Sequence, residues 1–247
     1  MTIRAICLDA AGTLIRTREP VAQTYQTIAA RHDIELGLQQ LGAGFAREFP
    51  GMPPLAFRYT DAEDLDRQER AWWRTLVQRI VSPEPSTAPL QGAAVDRFER
   101  FFDELYAHYA EPDAWLLFDE ILPMLRGARD RGLRTLVVSN FDGRLHPILE
   151  GLGVRALVDG VLCSSEVGFA KPETGIFQAA LDQLELAPHQ VLHVGDNPQA
   201  DLAGARAVGL HALLVMRGAA QRGASEHIKS LTEALDYCDR KGRWQQL

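Results

Sequence analysis

Residues 3–13 read IRAICLDAAGT, a run of apolar, β-forming residues that leads to Asp9 and is followed by a glycine. A short apolar run that ends at a turn residue is typical of a strand buried on both faces. A carboxylate at the end of such a strand, close to a glycine that permits a tight turn, can attack an electrophile or bind a cation. An aspartate in this position is also a common turn or capping residue, so the remaining motifs must decide between the two interpretations.

Further apolar runs predict strands along the rest of the chain, and helix-like stretches lie between them. Strands that alternate with helices predict right-handed βαβ units and a parallel sheet. The predicted fold class is therefore α/β, with a doubly wound, Rossmann-like core. The additional predicted strands cover residues 133–139, 158–164, 191–195 and 210–216.

Residues 16–112 interrupt this alternation with helical patterns and no strand signal. Proline-rich joints at residues 49–54 (FPGMPP) and 82–90 (SPEPSTAPL) separate these patterns. The segment is predicted to form a helical cap domain inserted after the first strand, which leaves residues 1–15 and 113–247 as the core domain. We expect the cap to cover the edge of the sheet at which open α/β folds bind ligands.

Composition limits the possible partners. The chain has 26 basic and 33 acidic residues and a formal charge of -7, without a Lys/Arg run, so nucleic acid is not expected as a partner. The apolar run before Asp9 is too short for a signal peptide or a membrane span, and a membrane partner is not expected. We expect a cytoplasmic protein that acts as a monomer or a homodimer on a small soluble molecule.

The three cysteines, Cys7, Cys163 and Cys238, are widely spaced in the sequence. A disulfide framework or a zinc site usually shows closer, paired spacing. The sequence therefore predicts buried thiols in a reducing compartment.

Polar residues follow the later strands at the points where those strands end. Ser139 and Asn140 offer a hydroxyl and backbone amides that can hold an anionic oxygen. Lys171 is one of only three lysines in the chain and precedes a proline, which favours a fixed positive charge for a phosphate. Asp196 can reach a metal ion, and Asp201, one helical turn further, can orient the loop or bind a metal-bound water.

These residues follow successive parallel strands, so they are expected to meet at one edge of the sheet. If the first and fourth strands are neighbours, Asp9 and Asp196 meet at the topological switch point. One Mg²⁺ between them suits all-oxygen ligation, and Lys171 would offset part of the negative charge.

The order LDAAGTL, VVSN, AKPETGIF and HVGDNPQADLAGA resembles the four motifs of the haloacid dehalogenase-like hydrolase superfamily, and the helical insert resembles its C1 cap. DAAGTL, the Trp72-Trp73 pair, VVSNFDGRL and SSEVGFAKPETGIF resemble the rhythmically-expressed-gene subgroup. The resemblance implies that Asp9 attacks phosphorus to give an aspartyl-phosphate. By the same resemblance, the substrate would be bound by Thr13, Ser139, Asn140 and Lys171, of which Ser139 and Lys171 would also be catalytic. Mg²⁺ would be ligated by Asp9, the Ala11 carbonyl and Asp196. Asp201 would support the metal site.

Ala11 departs from the superfamily's usual DxDGT pattern, in which the second aspartate serves as general acid and base. A methyl group does neither, and loss of such a group typically slows turnover by about 10²–10⁴-fold. Replacement from the insert is conceivable, although nothing selects among the available side chains, which are His32, Asp33, Asp61, Glu63 and His108. The sequence thus predicts a Mg²⁺-dependent phosphatase for small phosphorylated molecules, with a catalytically impaired binding or regulatory protein as the alternative.

Two related chemistries fit less well. Phosphonoacetaldehyde hydrolases also carry alanine at position 11 but use a cap lysine, and residues 15–117 contain no lysine. Haloacid dehalogenases carry an aromatic residue at that position and Ser or Asn in place of Asp196. Of the remaining candidates, Trp72 or Trp73 is expected to pack the cap and His193 to be a buried, hydrogen-bonded histidine. Phe141 and Asp142 could face the substrate, or Asp142 could cap the helix that follows it.

Overall fold

The fold is that of a computed structural model, which describes residues 2–81, 92–218 and 226–243. The chain divides into two compact units. The first contains residues 1–16, 55–58 and 116–247, and the second contains residues 17–54 and 59–115. The predicted joint at residues 82–90 lies outside the described residues.

The first unit is built on a six-stranded sheet in which every neighbouring pair is parallel. Its strands are β1 (Ala5–Leu8), β4 (Arg134–Ser139), β5 (Gly160–Cys163), β6 (Val191–Gly195), β7 (His211–Val215) and β8 (His227–Ile228), in the spatial order β5-β4-β1-β6-β7-β8. The predicted α/β class is confirmed. The strand β8 was not predicted, because a strand of two residues is too short to show a recognisable sequence pattern.

Helices flank this sheet. They are α5 (Ile121–Asp130), α6 (Leu145–Gly151), α7 (Ser164–Val167), α8 (Thr174–Leu184), α9 (Gly204–Ala207) and α10 (Thr232–Arg243), with a π-helical segment at Pro198–Ala203. All four residues of β1 are buried, as expected of a central parallel strand. Its Ala5 and Cys7 share a core cluster with Ile176 and Phe177 of α8, which fastens that helix to the sheet.

The second unit is helical, and its four helices share an apolar core. They are α1 (Val21–Arg31), α2 (Leu38–Glu48), α3 (Ala62–Val81) and α4 (Ala93–His108). The helix α3 begins next to Asp61, whose carboxylate accepts a hydrogen bond from the Asp64 amide at 2.9 Å and so caps the helix. Trp72 lies against the core with its indole nitrogen donating to the Pro53 carbonyl at 2.9 Å, which places one tryptophan of the pair in the interior as predicted.

The join between the units differs from the sequence prediction. Two short strands, β2 (Ile15–Thr17) and β3 (Trp115–Leu117), form a separate two-stranded sheet that the helical patterns did not indicate. Residues 55–58 belong to the first unit because Leu55 is buried there and its carbonyl accepts a hydrogen bond from the Ser164 hydroxyl. In the described part of the chain, we find no helix with both the length and the hydropathy that a membrane crossing requires.

Candidate active site

Three strands of the sheet deliver polar side chains to one edge. Asp9 follows β1, Ser139 ends β4 on one side of it, and Asp196 follows β6 on the other. The Ser139 hydroxyl donates to Asp9 Oδ1 at 3.0 Å, and both side chains are buried. The structure therefore brings these three predicted residues together, with Asp9 in the middle.

Lys171 supplies the positive charge of the site. Its Nζ donates to Asp9 Oδ1 at 2.7 Å and to Asp201 Oδ1 at 2.6 Å, and the residue is 5% exposed. Burial alone would lower the pKa of Lys171, but the two carboxylates outweigh it and raise that pKa above its ordinary value. Lys171 is consequently a fixed cation held between two carboxylates.

The side chain of Asn140 contacts the backbone of Lys171. Its side-chain amide donates to the Lys171 carbonyl at 2.8 Å, and its side-chain oxygen accepts from the Lys171 amide at 2.7 Å. Both ends of the Asn140 side chain are thus used to hold the backbone of Lys171. The side chain therefore positions the lysine, and the predicted substrate contact through the Asn140 backbone amide stays a prediction.

Asp196 approaches the loop after β1 at a glycine. Gly12 has a positive φ of 86°, and a Cβ at this position would overlap the Asp196 carboxylate. Burial, together with the charges of Asp9 and Asp201, raises the pKa of Asp196 to about 6. The carboxylate is therefore held where negative charge is not fully compensated.

Asp201 lies beneath the site and is 1% exposed. Its Oδ1 accepts from Lys171 and, at 2.9 Å, from His193 Nε2, while its Oδ2 accepts from the Asn197 amide at 3.0 Å. Burial raises the pKa of Asp201, but the charges and hydrogen bonds of Lys171 and His193 outweigh it, and the pKa is lowered. His193 is fully buried and paired with this carboxylate, as the sequence predicted.

The carboxylates fit a divalent cation. Asp9, Asp196 and Asp201 each place an oxygen within 4.8 Å of the others, and a single lysine faces them. Burial is the main cause of the raised pKa of Asp196, and the negative charges of Asp9 and Asp201, which a single lysine only partly offsets, raise it further. Oxygen donors of this kind suit Mg²⁺ or another hard cation. Asp9 and Asp196 are the carboxylates available to it, because Asp201 already accepts hydrogen bonds on both oxygens.

Thr13 does not fit the predicted substrate contact. The residue is fully buried, and its hydroxyl has no hydrogen-bond partner among the described residues. Its amide donates to the Ala10 carbonyl at 3.1 Å within the tight turn that follows β1. A side chain enclosed in this turn shapes the loop and leaves no surface for a ligand.

Two of the insert residues considered as replacements for the missing acid are engaged in their own unit. His32 Nε2 lies 2.7 Å from Glu104 Oε2, and Asp61 caps α3. Ala11 itself is exposed and forms a β-bridge with Ile15. The position that carries a second aspartate in the usual motif therefore presents only a methyl group.

Arg217 is a positioning residue that the sequence analysis missed. It follows β7, and its guanidinium donates at 2.7 Å to the carbonyls of both Gly12 and Thr13. Glu120 accepts from the same guanidinium at 2.8 and 3.1 Å, and the Phe118 ring lies 3.6 Å from it. Arg217 so fixes the loop that carries Ala11. No local pattern indicates this, because the partners are about 200 positions apart in the chain.

Asp142 and Phe141 were possible substrate contacts. Asp142 is fully buried, and its Oδ1 accepts from the Arg144 amide at 3.1 Å, just before α6. The Arg144 guanidinium also pairs with this carboxylate, at 2.7 Å. Phe141 is 7% exposed. Asp142 is therefore not the cap of α6, the interpretation that the sequence left open. The N-cap of this helix is Arg144, without a side-chain cap hydrogen bond, and Asp142 instead holds Arg144 in the turn before the helix.

Comparison with known proteins identifies the family of the chain. The family model described as haloacid dehalogenase-like hydrolase matches residues 3–209. A protein from Bos taurus, haloacid dehalogenase-like hydrolase domain-containing protein 3, is 35% identical over 220 residues, covering 87% of this chain and 82% of its own. The Rhythmically expressed gene 2 protein of Drosophila melanogaster is 26% identical over 221 residues, covering 86% and 82%. The chain belongs to the haloacid dehalogenase-like hydrolase family, and within it to the rhythmically-expressed-gene-like subgroup.

Solved structures with the same fold include two kinds of enzyme. A HAD phosphatase from Thermococcus onnurineus matches with a TM-score of 0.64 and 22% identity, covering 95% of this chain and 97% of its own. A 2-haloacid dehalogenase from Pseudomonas syringae matches with a TM-score of 0.57 and 20% identity, covering 96% and 99%. At these identities the likeness concerns the fold, so the type of reaction must be argued from the residues of this chain.

Proposed function

We propose that this hydrolase is a Mg²⁺-dependent phosphatase that transfers the phosphoryl group of a small phosphorylated molecule to Asp9. The observation that carries the proposal is the convergence of Ser139 and Lys171 on one Asp9 oxygen, with Asp196 at the same edge. The two donors orient the Asp9 carboxylate for attack, and the same donors suit the oxygens of a phosphoryl group.

The reaction proceeds in two displacements at phosphorus. An Asp9 oxygen attacks, the bond from phosphorus to the leaving oxygen breaks, and water protonates that oxygen because Ala11 offers no acid. A second water then attacks the phosphorus of the aspartyl-phosphate, and the proton that it loses neutralises the hydroxide formed in the first displacement. The bond to Asp9 breaks, inorganic phosphate leaves, and the Asp9 carboxylate is restored.

A magnesium ion would be held by Asp9, Asp196 and the Ala11 carbonyl, and it would supply charge compensation for the phosphoryl oxygens. Lys171 carries a permanent positive charge toward the same oxygens, and Asp201 with His193 keeps the lysine in place. Asp196 also argues against dehalogenation. The metal-independent dehalogenases that the sequence resembles carry Ser or Asn at this position.

The test is hydrolysis of aryl and acyl phosphates with and without Mg²⁺, because these leaving groups depend least on the missing acid. We expect Mg²⁺-dependent phosphate release that Asp9→Asn abolishes. Asp182→Asn is a matched control, since Asp182 lies exposed on α8 and pairs with Gln178. Equal phosphate release by wild type and Asp9→Asn would refute the proposal. Halide release from 2-haloacids would support dehalogenation instead.

A second candidate function is binding or regulation without turnover, and Ala11 is the observation that favours it. A protein of this kind would keep the carboxylate cluster and Lys171 but release no phosphate from any substrate of the panel. Retained Mg²⁺ binding by calorimetry, lost in Asp196→Asn, together with absent turnover would support this candidate over the phosphatase.

A further inference from the structure

A second group of potential metal ligands lies away from the carboxylate cluster. It comprises His146 of α6, Cys163 at the end of β5 and Glu166 of α7. His146 Nε2 lies 3.0 Å from both Glu166 oxygens and 3.9 Å from Cys163 Sγ. One donor atom of each residue lies within 4.8 Å of the others, so three different ligand types face a common point.

The spacing of these atoms suits a small tetrahedral ion. Zinc bonds of about 2.0–2.3 Å separate the ligand atoms of a tetrahedral site by about 3.4–3.6 Å. The observed separations from His146 Nε2, 3.0 Å to the carboxylate and 3.9 Å to the sulfur, bracket that range. Shifts of about half an ångström would bring the two separations from His146 Nε2 to this range, and the separation between Cys163 and Glu166 lies within 4.8 Å.

The donor set distinguishes this cluster from the one around Asp9. Thiolate and imidazole ligands select borderline cations such as Zn²⁺, whereas Mg²⁺ takes oxygen ligands almost exclusively. Cys163 is fully buried, while the side chains of His146 and Glu166 are 40% and 32% exposed. An ion can therefore enter from the solvent side and bind the buried Cys163 sulfur. The fourth coordination position of the ion would then be open to a water molecule.

The cluster would tie α6 to the end of β5 and to α7, which begins at the residue directly after β5. Cys163 pairs in register with Ser139 of the neighbouring strand β4. Ser164, the next residue, donates to the Leu55 carbonyl. An ion at this point would therefore fix α6 and α7 to the sheet one strand away from the Asp9 site. Cysteine spacing gave no sign of this, because only one cysteine takes part.

We propose that His146, Cys163 and Glu166 form a second metal site that binds one borderline divalent cation of the Zn²⁺ class. Binding of the ion releases the thiol proton of Cys163, so that a thiolate, a neutral imidazole and a carboxylate ligate the metal. The site is separate from the Mg²⁺ site and does not depend on the phosphatase activity.

Cobalt(II) titration of the reduced, metal-free full chain tests the site, because a thiolate ligand gives a sulfur-to-cobalt charge-transfer absorption that carboxylates cannot give. We expect one equivalent of Co²⁺ to produce this absorption and Zn²⁺ to abolish it by displacement. Cys163→Ser should remove the absorption. Cys238→Ser, a matched change at another buried cysteine, and Asp196→Asn, in the carboxylate cluster, should both retain it.

His146→Gln provides a second test if Cys163→Ser fails to fold, since the histidine is partly exposed. It should weaken Zn²⁺ affinity by about tenfold or more, measured by competition with a chromophoric chelator. Absence of the charge-transfer absorption at saturating Co²⁺ in the wild type would overturn the proposal. An undiminished absorption in a folded Cys163→Ser variant, or unchanged Zn²⁺ affinity in His146→Gln, would also overturn it.

Discussion

At the scale of single residues, we expect Ala11 to determine which step of the proposed phosphatase reaction is slow. Its methyl group can neither protonate a leaving oxygen nor activate the second water, whereas Asp9, Ser139 and Lys171 are in place for the attack. Ala11→Asp should raise turnover of alkyl phosphates by about tenfold or more, because a general acid contributes most to poor leaving groups.

Ala11→Asn is the matched control for this substitution, since it adds a side chain of the same size without an acidic proton. Steady-state phosphate release from alkyl and aryl phosphates distinguishes the two variants. An equal response of Ala11→Asp and Ala11→Asn would show that proton transfer at position 11 does not limit the reaction.

Asp196 makes the stability of the metal-free protein depend on pH. Its pKa is raised to about 6 in the folded protein, whereas an aspartate in an unfolded chain titrates near 3.9. Between these values the folded protein retains a proton that the unfolded chain has released, so this residue lowers the free energy of unfolding as pH rises. Asp196→Asn should therefore become progressively more stable than wild type between about pH 4 and 6.

Thermal melts in chelator at a series of pH values measure this difference, with Asp182→Asn as the surface control. Added Mg²⁺ should then raise the Tm of the wild type and leave that of Asp196→Asn nearly unchanged. If the difference in Tm between wild type and Asp196→Asn stays constant across pH, the pKa of Asp196 is not raised in the folded protein.

The residues of the site were predictable to different degrees. Asp9, Ser139 and Asp196 could be found because each lies at the end of a strand or directly after it, and parallel strands bring their ends to one edge. Lys171 follows the short helix α7 and was indicated by the scarcity of lysine and by the proline beside it. The side-chain contacts of Asn140 and the burial of Thr13 could not, because they depend on the conformation of loops. Sequence spacing indicates which loop a residue occupies but not the direction of its side chain.

At the scale of secondary-structure elements, Arg217 connects the end of β7 to the loop after β1. Burial would raise the pKa of Glu120, but its hydrogen bond and charge interaction with Arg217 lower it, so the ion pair holds the guanidinium in place. Arg217→Lys keeps the positive charge but lacks the planar guanidinium, whose several N–H groups donate to two carbonyls at once. We expect kcat/KM to fall by about tenfold to a hundredfold and the Mg²⁺ midpoint to rise.

Arg206→Lys serves as the control, because Arg206 pairs with Glu226 at a partly exposed position. Phosphate release as a function of Mg²⁺ concentration is the measurement. The same Mg²⁺ midpoint in Arg217→Lys and Arg206→Lys would contradict a positioning role for Arg217.

Elements were predictable where the pattern was long enough. The strands β1 and β4 to β7 showed as apolar runs because parallel strands are buried on both faces. By contrast, β2, β3 and β8 have only two or three residues each, which is too short for a recognisable strand pattern. These strands form because they pair with neighbouring strands, and the local sequence does not indicate that pairing. The contribution of residues 55–58 to the first unit was likewise hidden, since it depends on the burial of Leu55 and its contact with Ser164.

At the scale of the whole molecule, each unit has its own apolar core. Phe101 of α4 is fully buried in the helical unit and contacts Tyr25 edge-on, with ring centroids 6.3 Å apart. Phe101→Ala should lower the free energy of unfolding by about 3–5 kcal/mol, because it removes a large buried ring and leaves a cavity. Denaturant unfolding measures this loss.

Calorimetry on the folded Phe101→Ala protein provides the second measurement. Its Mg²⁺ affinity should match that of the wild type, because the carboxylate cluster belongs entirely to the other unit. A matching loss of Mg²⁺ affinity would contradict the separation of the two cores. The change of pattern at residue 16 predicted a helical insert over residues 16–112, and the helical unit of the structure comprises residues 17–54 and 59–115. The expectation that the helical unit covers the sheet edge stays a prediction.

The central claim is that Asp9 becomes phosphorylated, and trapping the intermediate tests it most directly. Because Ala11 leaves the second displacement without a base, the aspartyl-phosphate should accumulate when the protein is incubated with Mg²⁺ and an acyl phosphate. Mass spectrometry of the acid-quenched protein should find one phosphoryl group on the peptide that contains Asp9, and none in Asp9→Asn or without Mg²⁺. Phosphate release from the wild type without any phosphorylation of Asp9 would contradict the account.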